Sequence, residues 1–403
     1  MHFSNLAVKA AGCLAFLETV HGHANHKRDA SPEDIRVLNE KWGTDWPFSG
    51  ISTFAHLPHF KCLVEPDKSF DIAIIGAPFD TAVSYRTGAR FGPRAIRSSA
   101  ARQTSFRSFN PRAGINPYKS WADIVDCGDI PIAPFDNKLA LKQMSEAYVE
   151  LGRRAPTSKA AGYQATSKLI TLGGDHSVAL PALRALKERY GQPISVLHFD
   201  AHLDTWHPAK YPSAWVDASE TDAQSFFNHG SVFWLAGTEG LLGTNGTNVH
   251  AGLRTRLSGT DWADLEEDTE QGWHRIAADD IDDIGVAKVI EIIMTKLGTE
   301  RPVYLSLDID VIDPGMAPAT GTPEPGGWTT REVIRILRGI EGLNLVGADI
   351  VEVSPPYDDA GESTSLAAAQ IVYEILTSMV KRGHREEQES LKLAGEESAK
   401  DEL

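Results

Sequence analysis

The chain has 403 residues, 42% of them hydrophobic, and a formal net charge of −16. That length buries the core of one large domain and by itself also admits two. The charge gives no support to nucleic-acid binding, which needs a basic face, and suits a small cationic ligand. With three cysteines, none of them clustered, the chain is neither a disulfide-dense scaffold nor a thiolate zinc module.

Residues 1–24 read as a secretory signal. Lys9 precedes an apolar run from Ala10 to about Val20, and the small residues Gly22 and Ala24 flank a cleavage point before Asn25. The run is too short to span a bilayer, and Glu18 inside it leaves a buried or amphipathic N-terminal helix as the alternative. Residues 25–67 form an N-terminal extension, and residues 68–384 hold the expected catalytic domain.

Within that domain the apolar segments DIAIIGAP, KLITL, PISVLHF, VHAGL, PVYLSL and LVGADIVEV alternate with helical stretches such as ALPALRALKERY and VAKVIEIIMTKL. The expected fold is α/β, a three-layer α/β/α arrangement around a mostly parallel sheet, with polar residues delivered at the carboxyl ends of strands. In SYRTGARFGPR, Pro93 suits the first turn of a helix AIRSSAAR, and Arg86, Arg90 and Arg94 are expected to pair with acids rather than cradle phosphate. Cys127 lies in a strand-like VDCGD, where either a disulfide to Cys62 or a buried free thiol fits. TGTPEPGG reads as a rigid loop, with Glu324 structural.

Three stretches carry the chemistry: GGDHS (173–177), HFDAHLD (198–204) and SLDIDVIDP (306–314). Each apolar run leads straight into acids and histidines. Strand alternation lets Asp200, His202 and Asp204 project to one side, and likewise Asp308 and Asp310. Four converging carboxylates must protonate, pair with cations or hold metal. An oxygen-rich set with a minority of imidazoles, His176 and His202, suits Mn²⁺.

At these residues the sequence resembles the ureohydrolase family of arginases, agmatinases and related guanidino hydrolases. The likeness extends to GAPFDTAVSYRTGARFGPRAIR, VDCGDIPIAPFDN, NHG, ATGTPEPGG and DIVEVSPPYD, so it covers roughly residues 70–380. It implies an arginase-like fold and two Mn²⁺ ions per subunit. One ion would take His176, Asp200, Asp204 and Asp308, and the other Asp200, His202, Asp308 and Asp310. It further implies a hydroxide nucleophile that Asp204 helps to hold, a guanidinium-orienting Glu352, and His229 as proton shuttle to the leaving amine. A trimer or hexamer is the family's habit.

On substrate, the family's arginine-recognising acid after the GLR strand is replaced by Thr255 and Arg256. This points to agmatine, hydrolysed to putrescine and urea. Arg256 facing the pocket would instead favour 4-guanidinobutanoate, whereas facing outward it would meet an acid such as Asp261. The stretch Thr205 to Asn228 is longer than in the family and aromatic: Trp206, Trp215, Phe226 and Phe227 are expected to rim the pocket or pack an oligomer interface. A non-catalytic polyamine-binding protein is the other class of reading, and a one-metal acyl-amine deacetylase a third. The complete set of six candidate ligands speaks against both.

Residues 385–403 form an acidic tail ending in Lys400, Asp401, Glu402 and Leu403, a KDEL address for the endoplasmic-reticulum retrieval receptor. The expected location is the lumen of that compartment, with secretion as the alternative. Asn245 then begins an N-glycosylation sequon, and no part of the chain is expected to cross a membrane.

Overall fold

A computed structural model describes residues 31–158, 166–210 and 224–401, without the side chains of residues 209, 224 and 387–401. The signal segment, Trp215, Glu402 and Leu403 lie outside the described residues.

The chain divides into a unit ending at Thr44 and a larger one from Asp45 onward. The first contains helix α1 (Pro32–Trp42), started by a capping box in which Ser31 and Asp34 satisfy each other's backbone N–H groups. The second unit takes in residues 45–67 of the N-terminal extension together with the expected catalytic domain. Phe54, Leu57 and Cys62 are buried there, and Cys62 is bonded to Cys127, so the free-thiol alternative falls.

Among the described residues eight strands form one sheet: β1 (Ile72–Ala77), β2 (Ile124–Asp129), β3 (Lys168–Gly173), β4 (Ser195–Phe199), β5 (Asn248–Leu253), β6 (Trp273–Ala277), β7 (Pro302–Asp308) and β8 (Asn344–Val351). Their order is β2-β1-β3-β8-β7-β4-β5-β6, and every pairing is parallel. The six apolar segments marked in the sequence are all strands. β6, with His274 and Arg275 in a five-residue run, escaped because its hydrophobic signal is weak.

Helices α2 (Gly92–Ala100), α3 (Asn137–Gly152), α4 (Ala179–Tyr190), α5 (Val232–Thr238), α6 (Ala263–Glu270), α7 (Asp280–Leu297), α8 (Thr330–Gly339) and α9 (Ser363–Asp401) fill the connections. Parallel strands need such crossovers, which bury both faces of the sheet. One apolar core contains Ile96 of α2, Val289 of α7, Val333 of α8 and Ile371 of α9. The other contains Met144 of α3, Leu180 of α4 and Phe233 of α5, giving three layers. Among the described residues no helix is long and apolar enough to cross a membrane. α9 continues past residue 384 to Asp401, so the described part of the tail is helical.

Pro93 sits in the first turn of α2, as its fixed φ favours. Arg90 pairs with Asp80. Arg86 departs from the expected ion pairing and stacks on Tyr85 and Tyr357, with its guanidinium carbon 5.2 and 4.9 Å from the ring centroids.

β3, β8, β7 and β4 are consecutive neighbours in the sheet. All four end in chemically distinctive residues, so parallel pairing gathers them at one edge. Gly174 lets the β3 end approach the β1 side closely: a Cβ there would lie 1.7 Å from the carbonyl oxygen of Phe79.

Candidate metal centre

His176 follows β3 in a short turn, Asp200 comes directly after β4, Asp308 is the last residue of β7, and Glu352 comes directly after β8. The acids and histidine of HFDAHLD and SLDIDVIDP do meet, though not by alternation along a strand. The strands stop at Phe199 and Asp308, and His202, Asp204 and Asp310 reach the cluster from turns. Asp204 and Glu352 have φ of 54° and 60°, a left-handed conformation uncommon for residues other than glycine. Their neighbours hold them there: Phe233 N–H donates to the Asp204 carbonyl, and Glu352 N–H to that of Gly174 at 2.8 Å.

His176 Nδ1 lies 3.1 Å from Asp200 Oδ2, 3.0 Å from Asp204 Oδ2 and 3.5 Å from Asp308 Oδ2. It is buried and aligned with none of them as a hydrogen bond. His202 Nδ1 lies 3.2 Å from Asp200 Oδ1 and 3.0 Å from Asp310 Oδ2, and that second oxygen is also buried without a hydrogen-bond partner. Among the described residues two groups of ligand atoms result, His176, His198, Asp200 and Asp204 in one and Asp200, His202 and Asp310 in the other, each within 4.8 Å. Asp200 belongs to both. Asp308 stands beside the first group through its contact with His176.

The electrostatics match a site built for cations. Burial, reinforced by Asp310 and Asp200, pushes the Asp308 carboxyl well above the usual range, and burial with Asp200 nearby raises Asp310 to about 6. Burial and Asp200 raise Asp204 as well. For Asp200 burial acts upward, but His198, His176 and His202 outweigh it and hold the group well below the carboxylate range. Carboxylates crowded in this way, facing ring and carboxylate atoms that make no hydrogen bond, fit a divalent-metal donor set.

Ser306 Oγ holds His176 Nε2 at 2.8 Å and donates to Asp349 Oδ1 at 2.7 Å, and Tyr304 donates to Asp349 Oδ2 at 2.6 Å. This chain fixes the imidazole with Nδ1 turned to the carboxylates. Glu352 Oε1 accepts from the His176 main-chain N–H at 2.9 Å and meets His229 Nδ1 at 3.1 Å, whereas Oε2 is buried without a partner among the described residues. Ser84 N–H reaches His229 Nε2 at 3.0 Å. A backbone N–H can only donate, so Nε2 accepts and the neutral ring carries its proton on Nδ1, donated to Glu352.

A cavity of about 230 Å³ opens onto this cluster, lined by Ser84, His202, Asp204, Trp206, His229 and Asp308 among others. Lys210, Thr255 and Arg256 also line it. The Arg256 side chain is 90% exposed, and its Nη2 lies 3.9 Å from Glu324 Oε1, so its nearby acid is Glu324 rather than Asp261. Of the aromatic insertion, Trp206 lines the cavity. Phe226 and Phe227 are buried, against Trp234 and Phe79 respectively, and so do not rim it.

The family model described as the arginase family matches residues 70–377 of this chain, including every strand. The chain belongs to the arginase family. A Schizosaccharomyces pombe relative named "Putative agmatinase 1" is 49% identical over 343 residues, 84% of this chain and 84% of the relative. A Pseudomonas aeruginosa guanidinobutyrase is 36% identical over 83% of this chain and 94% of its own. Among solved structures, the proclavaminate amidino hydrolase of Streptomyces clavuligerus superposes with a TM-score of 0.69 at 35% identity, covering 84% of this arginase-family chain and 99% of the other.

His198 was not among the candidates drawn from sequence, although it stands two residues before Asp200 at the spacing that drew attention to His202. Its Nε2 lies 2.8 Å from Asp200 Oδ2. The partner of its other nitrogen is His250 on β5, 52 residues along the chain.

Proposed function

We propose that this arginase-family chain hydrolyses a guanidino compound, foremost agmatine to putrescine and urea, with two Mn²⁺ ions as cofactors. The observation that carries the reading is the position of Glu352 Oε2, buried and, among the described residues, without a partner beside the carboxylate and imidazole cluster. His176, Asp200, Asp204 and Asp308 would hold one ion and Asp200, His202, Asp308 and Asp310 the other. When bound, the pair supplies a water acidic enough to be a nucleophile near neutral pH.

The chain's own residues do the rest. Glu352 has one oxygen engaged by the His176 N–H and His229, and the other left for a planar guanidinium N–H, a charge-assisted bond that fixes the carbon facing the cluster. Hydrolysis adds water to that carbon and breaks its bond to the substituted nitrogen, and the departing amine needs a proton. His229 can supply one as the imidazolium, and its pKa, which burial alone would lower, is raised by Glu352. Asp204 turns its carboxylate toward His176 and can accept a proton from the attacking water.

A second reading rests on Arg256 at the cavity mouth: a guanidino acid such as 4-guanidinobutanoate would offer it a carboxylate, whereas agmatine's ammonium would be repelled. The Cys62–Cys127 disulfide and the exposed Asn245 sequon support passage through the endoplasmic reticulum, with glycosylation at Asn245. KDEL-receptor retrieval and a trimeric or hexameric assembly complete the proposal.

The deciding experiment is urea release by the manganese-loaded protein lacking residues 1–24, with agmatine, 4-guanidinobutanoate and arginine assayed side by side. Urea from agmatine is expected. Urea from 4-guanidinobutanoate alone would transfer the assignment to the second reading, and none from any substrate with two metals bound would overturn the proposal.

A further inference from the structure

β4, β5 and β6 lie side by side, and their registers pair His198 with His250 and His250 with Arg275. One row across three strands therefore carries two histidines and an arginine. His198 Nε2 lies 2.8 Å from Asp200 Oδ2, and His198 Nδ1 lies 2.7 Å from His250 Nδ1. His250 Nε2 then meets Asp268 Oδ1, on α6, at 3.0 Å. Arg275 and the Thr205 hydroxyl donate to the Asp268 carboxylate at 2.6 and 2.7 Å. Both imidazoles and Asp268 are completely buried, and Trp273 stacks on His250 at 3.9 Å between centroids.

Such a row costs desolvation at each member and is maintained only if every polar atom finds a partner. Here each does. His198 stands near enough to the cluster to be taken for a ligand, but both of its ring nitrogens are engaged, whereas His176 Nδ1 faces three carboxylates without a hydrogen bond. The two histidines differ in function accordingly.

We propose that His198, His250 and Asp268 form a positioning chain that fixes the orientation of the Asp200 carboxylate, the group shared by both sets of ligand atoms. The proposal rests on the metal-dependent reading of the site. Anchoring Asp200 through two strands and α6 restricts its rotation, so its two oxygens stay directed at His176 and His202. Outer partners of metal ligands work in this way, and their loss usually weakens metal affinity about 10- to 100-fold.

The test is a titration of the metal-free full chain with Mn²⁺, followed by electron paramagnetic resonance and by chelator competition, with no substrate present. His250→Phe keeps a ring on Trp273 and removes both hydrogen bonds; Asp268→Asn keeps the shape and removes the charge. Each variant's fold is checked by near-ultraviolet circular dichroism. Affinity is expected to fall about 10- to 100-fold in His250→Phe and by a smaller factor in Asp268→Asn. A folded variant of either kind that binds two Mn²⁺ with wild-type affinity would overturn the proposal. If one variant does not fold, the other decides by the same criterion. Because metal binding is read without turnover, a chain that holds two ions and releases no urea would sink the proposed function and leave this result standing.

Discussion

Glu352 accepts the main-chain N–H of His176 at 2.9 Å through one carboxylate oxygen and leaves the other buried and, among the described residues, unpaired. Two segments 176 residues apart in sequence thereby place an acid against the metal cluster with half of its hydrogen-bonding capacity in reserve. Glu352→Gln should retain the bond to His176 and lose the charge offered to a guanidinium. A loss of about 2–3 kcal/mol of transition-state binding is expected, roughly 30- to 150-fold in kcat/KM, with metal content unchanged. Steady-state kinetics beside metal analysis check it, and a variant within twofold of wild type would remove Glu352 from substrate binding.

His229→Ala should leave metal content intact and reduce kcat by roughly 100- to 10,000-fold. Burial lowers the imidazole's pKa, but Glu352 more than offsets this and holds it above the ordinary value of 6.5. The protonated ring is the donor, so wild-type kcat should decline as pH rises through that raised pKa. In the variant the alkaline limb should be gone. An unchanged pH profile would mean the proton comes from elsewhere.

Arg256→Glu reverses the charge at the cavity mouth. If that charge meets the far end of the substrate, kcat/KM should rise for agmatine and fall for 4-guanidinobutanoate by roughly tenfold at low salt, and the contrast should shrink as salt is added. Equal effects on both substrates would place Arg256 outside substrate recognition.

Cys62 and Cys127 close a loop with a sequence separation of 65. Replacing both with Ser should cost about 2–4 kcal/mol of unfolding free energy by the chain-entropy argument. Denaturant titration of the metal-loaded protein measures it, and the same loss should follow reduction of the wild type. Equal midpoints for wild type and variant would show that packing alone holds residues 45–67.

Lys168 is buried, which pulls its pKa down from 10.5 to about 8. Between those values the unfolded chain binds the extra proton. Stability contributed at this position should therefore rise as pH increases from about 8 to 10.5, and the cost of burying the charge is fully present below 8. Lys168→Met should remove that rise and stabilise the protein at pH 7 by about 1–3 kcal/mol. Thermal melts across this pH range read the difference directly.

The parallel α/β fold was legible because buried strands such as DIAIIGAP and PISVLHF are apolar on both faces, a pattern few other structures share. β6 was not: WHRIA puts His274 and Arg275 in a run too short for its apolar residues to dominate. The six metal-ligand candidates were marked by their types and spacing. That they belong together follows from the strand order β3-β8-β7-β4, which no local pattern encodes.

By itself, then, the sequence determined the residue chemistry available at the strand ends and the family to which the chain belongs. Both reside in contiguous stretches that survive without their neighbours. Only the tertiary structure decided that Phe226 and Phe227 turn inward, that Arg256 stands exposed beside Glu324, and that Cys62 meets Cys127. It alone joined His198 to His250 and Asp268 across two strands and a helix. Those outcomes depend on contacts between segments tens to hundreds of residues apart, and the free energy of such a contact is a property of both partners together.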